Sequence, residues 1–324
     1  MEFPAPSRSR APLGEETLAI RARSMTDRLL SGTGCASLLA YEYEPGIEVG
    51  SMAHGLSSRG ALVVASCLPP DAPAASLLDH WSTAVRMDVV KESLTPQVRI
   101  MASSLHLLGQ LEWMSTDVTA GMLHRREVPR HVADIAMAPG GRLGVVHTQR
   151  ILLHDASGVT PLGHPDDEGA VPIHRFPPES TDTMESDRPI STGHPAGQRR
   201  ARQRPAHPSP YPAVFPSMDQ EIEAYDVVAS SCGDDLTRIY EGLADGRLAG
   251  VIWSRRPSTP CPHTQDQTYC VDIDRTGITV MHVGESTTTT AFVAFPQEVD
   301  TFDQLGHQVA LLLQDSAPQR QPRI

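Results

Sequence analysis

The sequence predicts an α+β protein: a β-rich amino-terminal half that closes into a small antiparallel barrel, then a proline-rich linker, then a smaller α+β domain. Three observations predict it. Short apolar or β-branched runs broken by Gly, Asp, Ser and Pro occupy Gly34 to Cys67 and Tyr269 to Pro296, the pattern of antiparallel hairpins. Between these stretches, Pro161 to Pro212 holds 11 of the chain's 28 prolines and almost no hydrophobic periodicity. A chain of 324 residues is also long enough for about two separate cores. The expectation is two separate folded lobes on a tether.

Each element follows from local pattern. Leu18, Ala22, Met25 and Leu29 share one face of a helix expected over Glu15–Ser31, which Gly32 and Gly34 stop. Strands are expected at Cys35–Tyr43, Ile47–His54 and Ala61–Cys67, with Ser57–Gly60 as a hairpin turn, followed by a short helix at Ala74–Trp81. Val85–Glu92 and Val98–Met114 return to strand; the second is too long to run flat and is expected to bend at Gly109. Ala120–Met137 reads as helical or irregular, and Pro139–Leu162 as a strand and hairpin turning at Asp155–Gly158. About six antiparallel strands without a helix between each pair argue for a closed barrel and against a parallel sheet.

The proline-rich segment cannot bury enough apolar surface to offset the entropy of ordering it, so it is expected to be disordered. Beyond Phe215, helices are expected over Met218–Ala229 and from Asp234 or Asp235 through Leu243. Strands follow at Leu248–Ser254, Thr268–Asp274, Ile278–Val283 and Thr287–Phe295. A last helix, Phe302–Gln314, is announced by Thr301 with Gln304 three residues on. The resulting boundaries are a disordered tail 1–14, a barrel domain 15–160, a disordered linker 161–214, an α+β domain 215–315 and a tail 316–324.

Charge and composition narrow the function. A net charge of −12 argues against a protein that binds nucleic acid by neutralising phosphates. There is no 18-residue apolar run to span a bilayer, and the first residues carry arginines without the apolar core of a secretory signal, so cytoplasmic residence is expected. Lys91 is the single lysine, a usage that looks like codon bias and makes the arginine count weak evidence for anion binding. The five cysteines, Cys35, Cys67, Cys232, Cys261 and Cys270, are widely spaced without a C-x-x-C and read as reduced thiols.

The order of parts resembles actinobacterial proteins that join an FMN-binding-like split barrel, of the pyridoxamine-phosphate-oxidase superfamily, to a carboxyl-terminal domain of the DUF2470 type. The residues that carry the resemblance are GSMAHGLSSRGALVVAS from Gly50, VRIMASSLHLLGQLEWM from Val98, GRLGVVHTQRILLHDASGV from Gly141 and DRTGITVMHVGESTTTTAFVAFPQEVDTFDQLGHQVALLL from Asp274. The resemblance covers about two-thirds of the chain, everything but the tail and linker. Two types share this architecture: HugZ-type haem-degrading proteins, which are split-barrel homodimers that bind haem without FMN, and a plastid protein that binds glutamyl-tRNA reductase. The resemblance therefore implies an antiparallel split barrel, a homodimer and a link to haem or tetrapyrrole handling.

Two departures bear on the cofactor. Split barrels that use FMN hold its phosphate with basic and hydroxyl side chains, because a dianion needs charge-assisted donors, whereas ALVVASC at Ala61–Cys67 carries no basic residue. FMN is not expected. DUF2470-type domains commonly open on Met-Asn-x-Asp-His, and MDQEIEA here puts Ile222 where that histidine would fall.

Haem iron takes a His, Cys, Tyr or Met ligand, with apolar groups against the porphyrin and Arg on its propionates. His106 is the foremost candidate among 14 histidines: Met101, Leu105, Leu107, Leu111 and Trp113 make one face of its strand, leaving Ser104, His106, Gln110 and Glu112 on the other, toward solvent or a dimer partner. His54 shares a face with Met52, and the two either border a flat apolar ligand or fill core. Cys261 and His263 lie in a loop whose Cys-Pro pair offers a thiolate to ferric iron, or is a plain flexible thiol. His282 is expected to face solvent. No spacing resembles a metal motif, a Ser-His-Asp or paired-carboxylate site or a phosphate loop.

Three readings remain. The first is a haem- or tetrapyrrole-binding homodimer, linked to haem degradation or utilisation. The second is a non-catalytic regulatory module that grips a tetrapyrrole-biosynthesis enzyme, and the third a flavin-dependent oxidoreductase.

Overall fold

The computed structural model describes residues 13–43, 45–79, 82–96, 98–163, 171–172, 214–229 and 233–317. The first half begins with α1 (Glu15–Leu30), whose Met25 and Leu29 are fully buried. It is followed by β1 (Cys35–Ala40), β2 (Ile47–Leu56), β3 (Leu62–Cys67), a 3-10 turn at Pro73–Asp79, β4 (Thr83–Glu92) and β5 (Met101–Trp113). Then come α2 (Thr116–His124), α3 (Arg130–Ala136), β6 (Gly141–Asp155), β7 (Gly158–Gly163) and a two-residue β8 (Val171–Pro172).

The strand order β3-β2-β1-β4-β5-β6 closes on itself because β3 also pairs with β6, giving a six-stranded antiparallel barrel. Closure leaves no free edge at the β3–β6 seam, while the sheet runs on from β6 into β7 and β8. Inward-facing Leu38, Val64, Met87, Leu105, Leu107 and Leu153 fill it, and Met25 and Leu29 of α1 join the same cluster. The 15-residue β6 serves two neighbours: its first part pairs with β3 and its last part with β7. α2 and α3 cover Val63, Ala65 and Leu143 on the outside.

The expected bend in β5 is present as a register shift against β6 between Leu108 and Gly109. A Cβ at Gly109 would stand 2.4 Å from the His147 carbonyl oxygen, so the bulge closes only around glycine. One part of the expected face is corrected. Met101, at the mouth of β5, is 65% exposed rather than inside.

The second half forms α4 (Glu221–Ala229), α5 (Gly233–Ala244), β9 (Gly250–Pro257), β10 (Gln267–Asp274), β11 (Gly277–Val283), β12 (Thr287–Ala294) and α6 (Phe302–Ser316). Its antiparallel sheet runs β10-β11-β12-β9, and Ile278, Val280, Ala291 and Val293 pack with Leu305 and Val309 of α6. The Thr301 hydroxyl accepts from Gln304 N–H, while the Gln304 side chain accepts from Asp300 N–H, so α6 starts where its capping pair predicts. The expected disordered linker and tails lie largely outside the described residues; within them, Pro161–Gly163 finish β7 and α6 runs on to Ser316.

The two halves, each with its own apolar cluster, also meet across buried charges. Arg28 of α1 and Lys91 of β4 meet Asp272 of β10 and Glu221 of α4 in a buried cluster: Arg28 Nη1 and Nη2 donate to the two Asp272 oxygens at 2.9 and 3.0 Å. Lys91 Nζ lies 3.1 Å from Asp272 Oδ1, and both cations also reach Glu221. Both cations come from the first half and both anions from the second. Burial works against charge on Arg28 and Asp272, yet the opposite charges outweigh it, raising the Arg28 pKa and holding the Asp272 carboxyl well below its usual range.

Two helical turns earlier, Arg21 pairs with Asp155 of β6, lies 3.9 Å from Asp274 of β10 and stacks over the Trp253 ring at 4.4 Å. Ser93 and Thr95 donate to the Cys270 carbonyl at 2.8 and 2.9 Å. Among the described residues no helix is long and apolar enough to cross a membrane.

Candidate functional site

The outward face of the barrel carries a polar row built by strand register. Asp88 of β4 stands opposite His106 of β5, and one row along Val90, Ser104 and His154 align across β4, β5 and β6. Alternation puts these side chains outside because Leu105, Leu107 and Leu153 between them go in. His106 Nδ1 lies 2.6 Å from Asp88 Oδ1. A carboxylate only accepts, so Nδ1 carries the hydrogen and Nε2 faces the Ser104 hydroxyl at 3.2 Å. The His106 and His154 rings meet edge to face with centroids 4.6 Å apart. Leu108 and Val159 are exposed on the same surface.

Asp88, His106 and Ser104 have the connectivity of an acid-base-nucleophile triad, which sequence reading missed because Asp88 comes from another strand. The arrangement is nevertheless poor for acyl transfer. Ser104 is buried, and β5 is paired on both edges, so its neighbouring backbone N–H groups are committed to ladders and supply no oxyanion donors. What remains is an imidazole held and oriented by a carboxylate through Nδ1. That is the arrangement that fixes a histidine's Nε2 as a metal ligand.

His154 also lines a groove of about 610 Å³ between the halves. One wall is the start of β5 and the β6–β7 hairpin, with Met101, Asp155, Ser157 and Val159. The other is the sheet face turned away from α6, with Trp253, Ser254 and Arg256 of β9, Met281 of β11, and Thr288 and Thr290 of β12. Trp253 sits at a bulge, where β9 and β12 slip register between Thr290 and Ala291. Sites for small molecules and cofactors usually measure about 300–1,000 Å³, so this groove is of that class.

No family model matches the chain, and no curated protein matches it. Solved structures overlap it at low similarity. A heme binding protein from Mycobacterium smegmatis is 15% identical with a TM-score of 0.43, over 92% of this chain and 96% of that one. A protein of unknown function from Agrobacterium tumefaciens is 13% identical with a TM-score of 0.32, over 96% of this chain and 100% of that one.

The four histidine and cysteine candidates do not converge. His106 stands on the outward face beside the groove. His54, expected to border a ligand or fill core, is core: its buried Nε2–H donates to the Leu29 carbonyl at 2.7 Å, and burial pushes its pKa down to about 4. Its neighbour Met52 packs against the barrel interior. Cys261 and His263 are exposed in the loop before β10, where the Thr264 hydroxyl bonds the Cys261 carbonyl, and neither lines the groove. His282 stacks on Tyr240 at 4.4 Å and bonds Thr268, so it faces α5 and not open solvent. Among the described residues no group of three or more His, Cys, Asp or Glu could hold a metal ion unaided. Sequence reading missed His154, Trp253 and Arg256. The sole signal was their place on strands with mixed polar and aromatic faces.

Proposed function

We propose that the protein binds haem or a related tetrapyrrole, with His106 as the iron ligand and the outward barrel face as the platform. The observation that carries this reading is the 2.6 Å bond from His106 Nδ1 to Asp88, which makes Nε2, now 3.2 Å from the Ser104 hydroxyl, the nitrogen to offer a ligand. The donor set fits the group. A single strong imidazole suits a porphyrin, whose four ring nitrogens already hold the iron, better than a bare cation that needs three or four protein ligands. Exposed Leu108 and Val159 provide apolar contact for the macrocycle. Bound haem would supply redox and small-ligand chemistry. The chain's own residues orient the imidazole and hold its hydrogen on Nδ1.

The resemblance of the motif order to split-barrel haem proteins supports the same reading, and with it a homodimer that shelters the exposed face. Haemin titration should give a Soret shift that His106→Ala removes and His54→Gln leaves in place. A flat titration, or a shift indifferent to His106, refutes the proposal. Light scattering on the purified protein tests the dimer.

A further inference from the structure

We infer that the groove between the two halves is the seat of a planar ligand bearing carboxylates, held against Trp253 and anchored by Arg256. The inference rests on the tetrapyrrole reading for the ligand's class, but not on iron ligation. Three features of the groove select such a ligand.

The first is charge. Two arginines could serve the groove, and only Arg256 can reach an incoming anion. Arg21 is buried beneath the floor, committed to Asp155 and stacked on Trp253, so Asp155 enters the groove already neutralised and does not repel an anion. Arg256 is exposed, lines the groove, and has no acidic partner among the described residues. Its planar fork matches a carboxylate in two parallel hydrogen bonds.

The second is shape and surface. Trp253 is an indole on a bulge, with Met101 and Val159 exposed across the groove and Met281 beside it. An aromatic ring and thioethers suit a flat apolar body. Ser254 and Thr290 add hydroxyls that suit polar edges.

The third is continuity. His154 lines the groove and is in ring contact with His106, so the proposed iron ligand and the groove adjoin. The ligand site is therefore incomplete without the carboxyl-terminal half. The buried Arg28, Lys91, Asp272 and Glu221 cluster is what holds its two walls in place.

The test uses the full chain and two iron-free probes, protoporphyrin and its dimethyl ester, read by quenching of tryptophan emission. The diacid should bind the wild type and bind Arg256→Gln about tenfold or more weakly, as loss of a charge-assisted pair predicts. The diester should bind both proteins alike and weakly, and Trp253→Phe should lose most of the quenching. Equal diacid affinity in wild type and Arg256→Gln, or a diester as tight as the diacid, overturns the inference. Arg256-dependent diacid binding without a His106-dependent Soret shift keeps the groove and removes the iron ligand. The reverse pattern keeps the iron ligand and removes the groove.

Discussion

Asp272→Asn should separate the two halves without unfolding either. Asp272 accepts from Arg28 at 2.9 and 3.0 Å and lies 3.1 Å from Lys91, all three side chains being nearly excluded from water. With Asp272 neutral, Glu221 is left as the carboxylate in contact with the two buried cations. Removing one partner of a buried ion pair costs about 3–5 kcal/mol, because the charge left behind must stay desolvated. Whole domains are stable by only about 5–15 kcal/mol. Each half keeps its own apolar cluster, so the loss should appear as undocking, an opening equilibrium raised by about two to four orders of magnitude. Lys91 is the chain's single lysine and is buried in this cluster, so its acylation by an amine reagent, followed by mass spectrometry, reports opening directly. The control Arg28→Met with Asp272→Leu replaces the pair by apolar groups and should recover most of the protection. An Asp272→Asn protein that acylates at the wild-type rate and unfolds at the wild-type denaturant midpoint would refute the reasoning.

Other outcomes follow from single contacts. His54 is neutral when folded and its pKa falls from 6.5 to about 4, so the unfolded chain takes up a proton first as the solution is acidified. Stability from this residue is complete above pH 6.5 and declines toward pH 4 by about 3 kcal/mol; urea titrations should show His54→Gln losing less between pH 7 and pH 4 than the wild type. Gly109→Ala drives a Cβ against the His147 carbonyl and should cost about 1–3 kcal/mol in the same assay. Asp88→Asn removes the carboxylate behind His106 and should weaken haemin binding about 10–100-fold at unchanged thermal stability; an unchanged titration counts against His106 as the ligand.

Local pattern was enough for most elements. The stripe of Leu18, Ala22, Met25 and Leu29 marks α1 and its buried side, Thr301 with Gln304 marks the start of α6, and the length of β5 with Gly109 inside it marks the bulge. These signals work because helix faces, caps and bulges are governed by residues within a turn or a few positions of one another. Strand pairing between β3 and β6 joins residues about 80 apart, and nothing near either strand announces the partner.

The site was legible in part for the same reason. His106 and its outward face follow from alternation along one strand, whereas Asp88, 18 residues earlier, becomes its partner through register. Arg21, Arg28 and Lys91 look like ordinary surface cations in a linear reading. They are buried because the other half of the chain supplies Asp272, Asp274 and Glu221 at the points where they emerge. The sequence by itself determined the strands, the helices and which side of each is apolar. Tertiary structure alone decided that the halves dock and that Trp253 and Arg256 face His154 across a groove, since a charge's burial and a groove's second wall depend on groups far away along the chain.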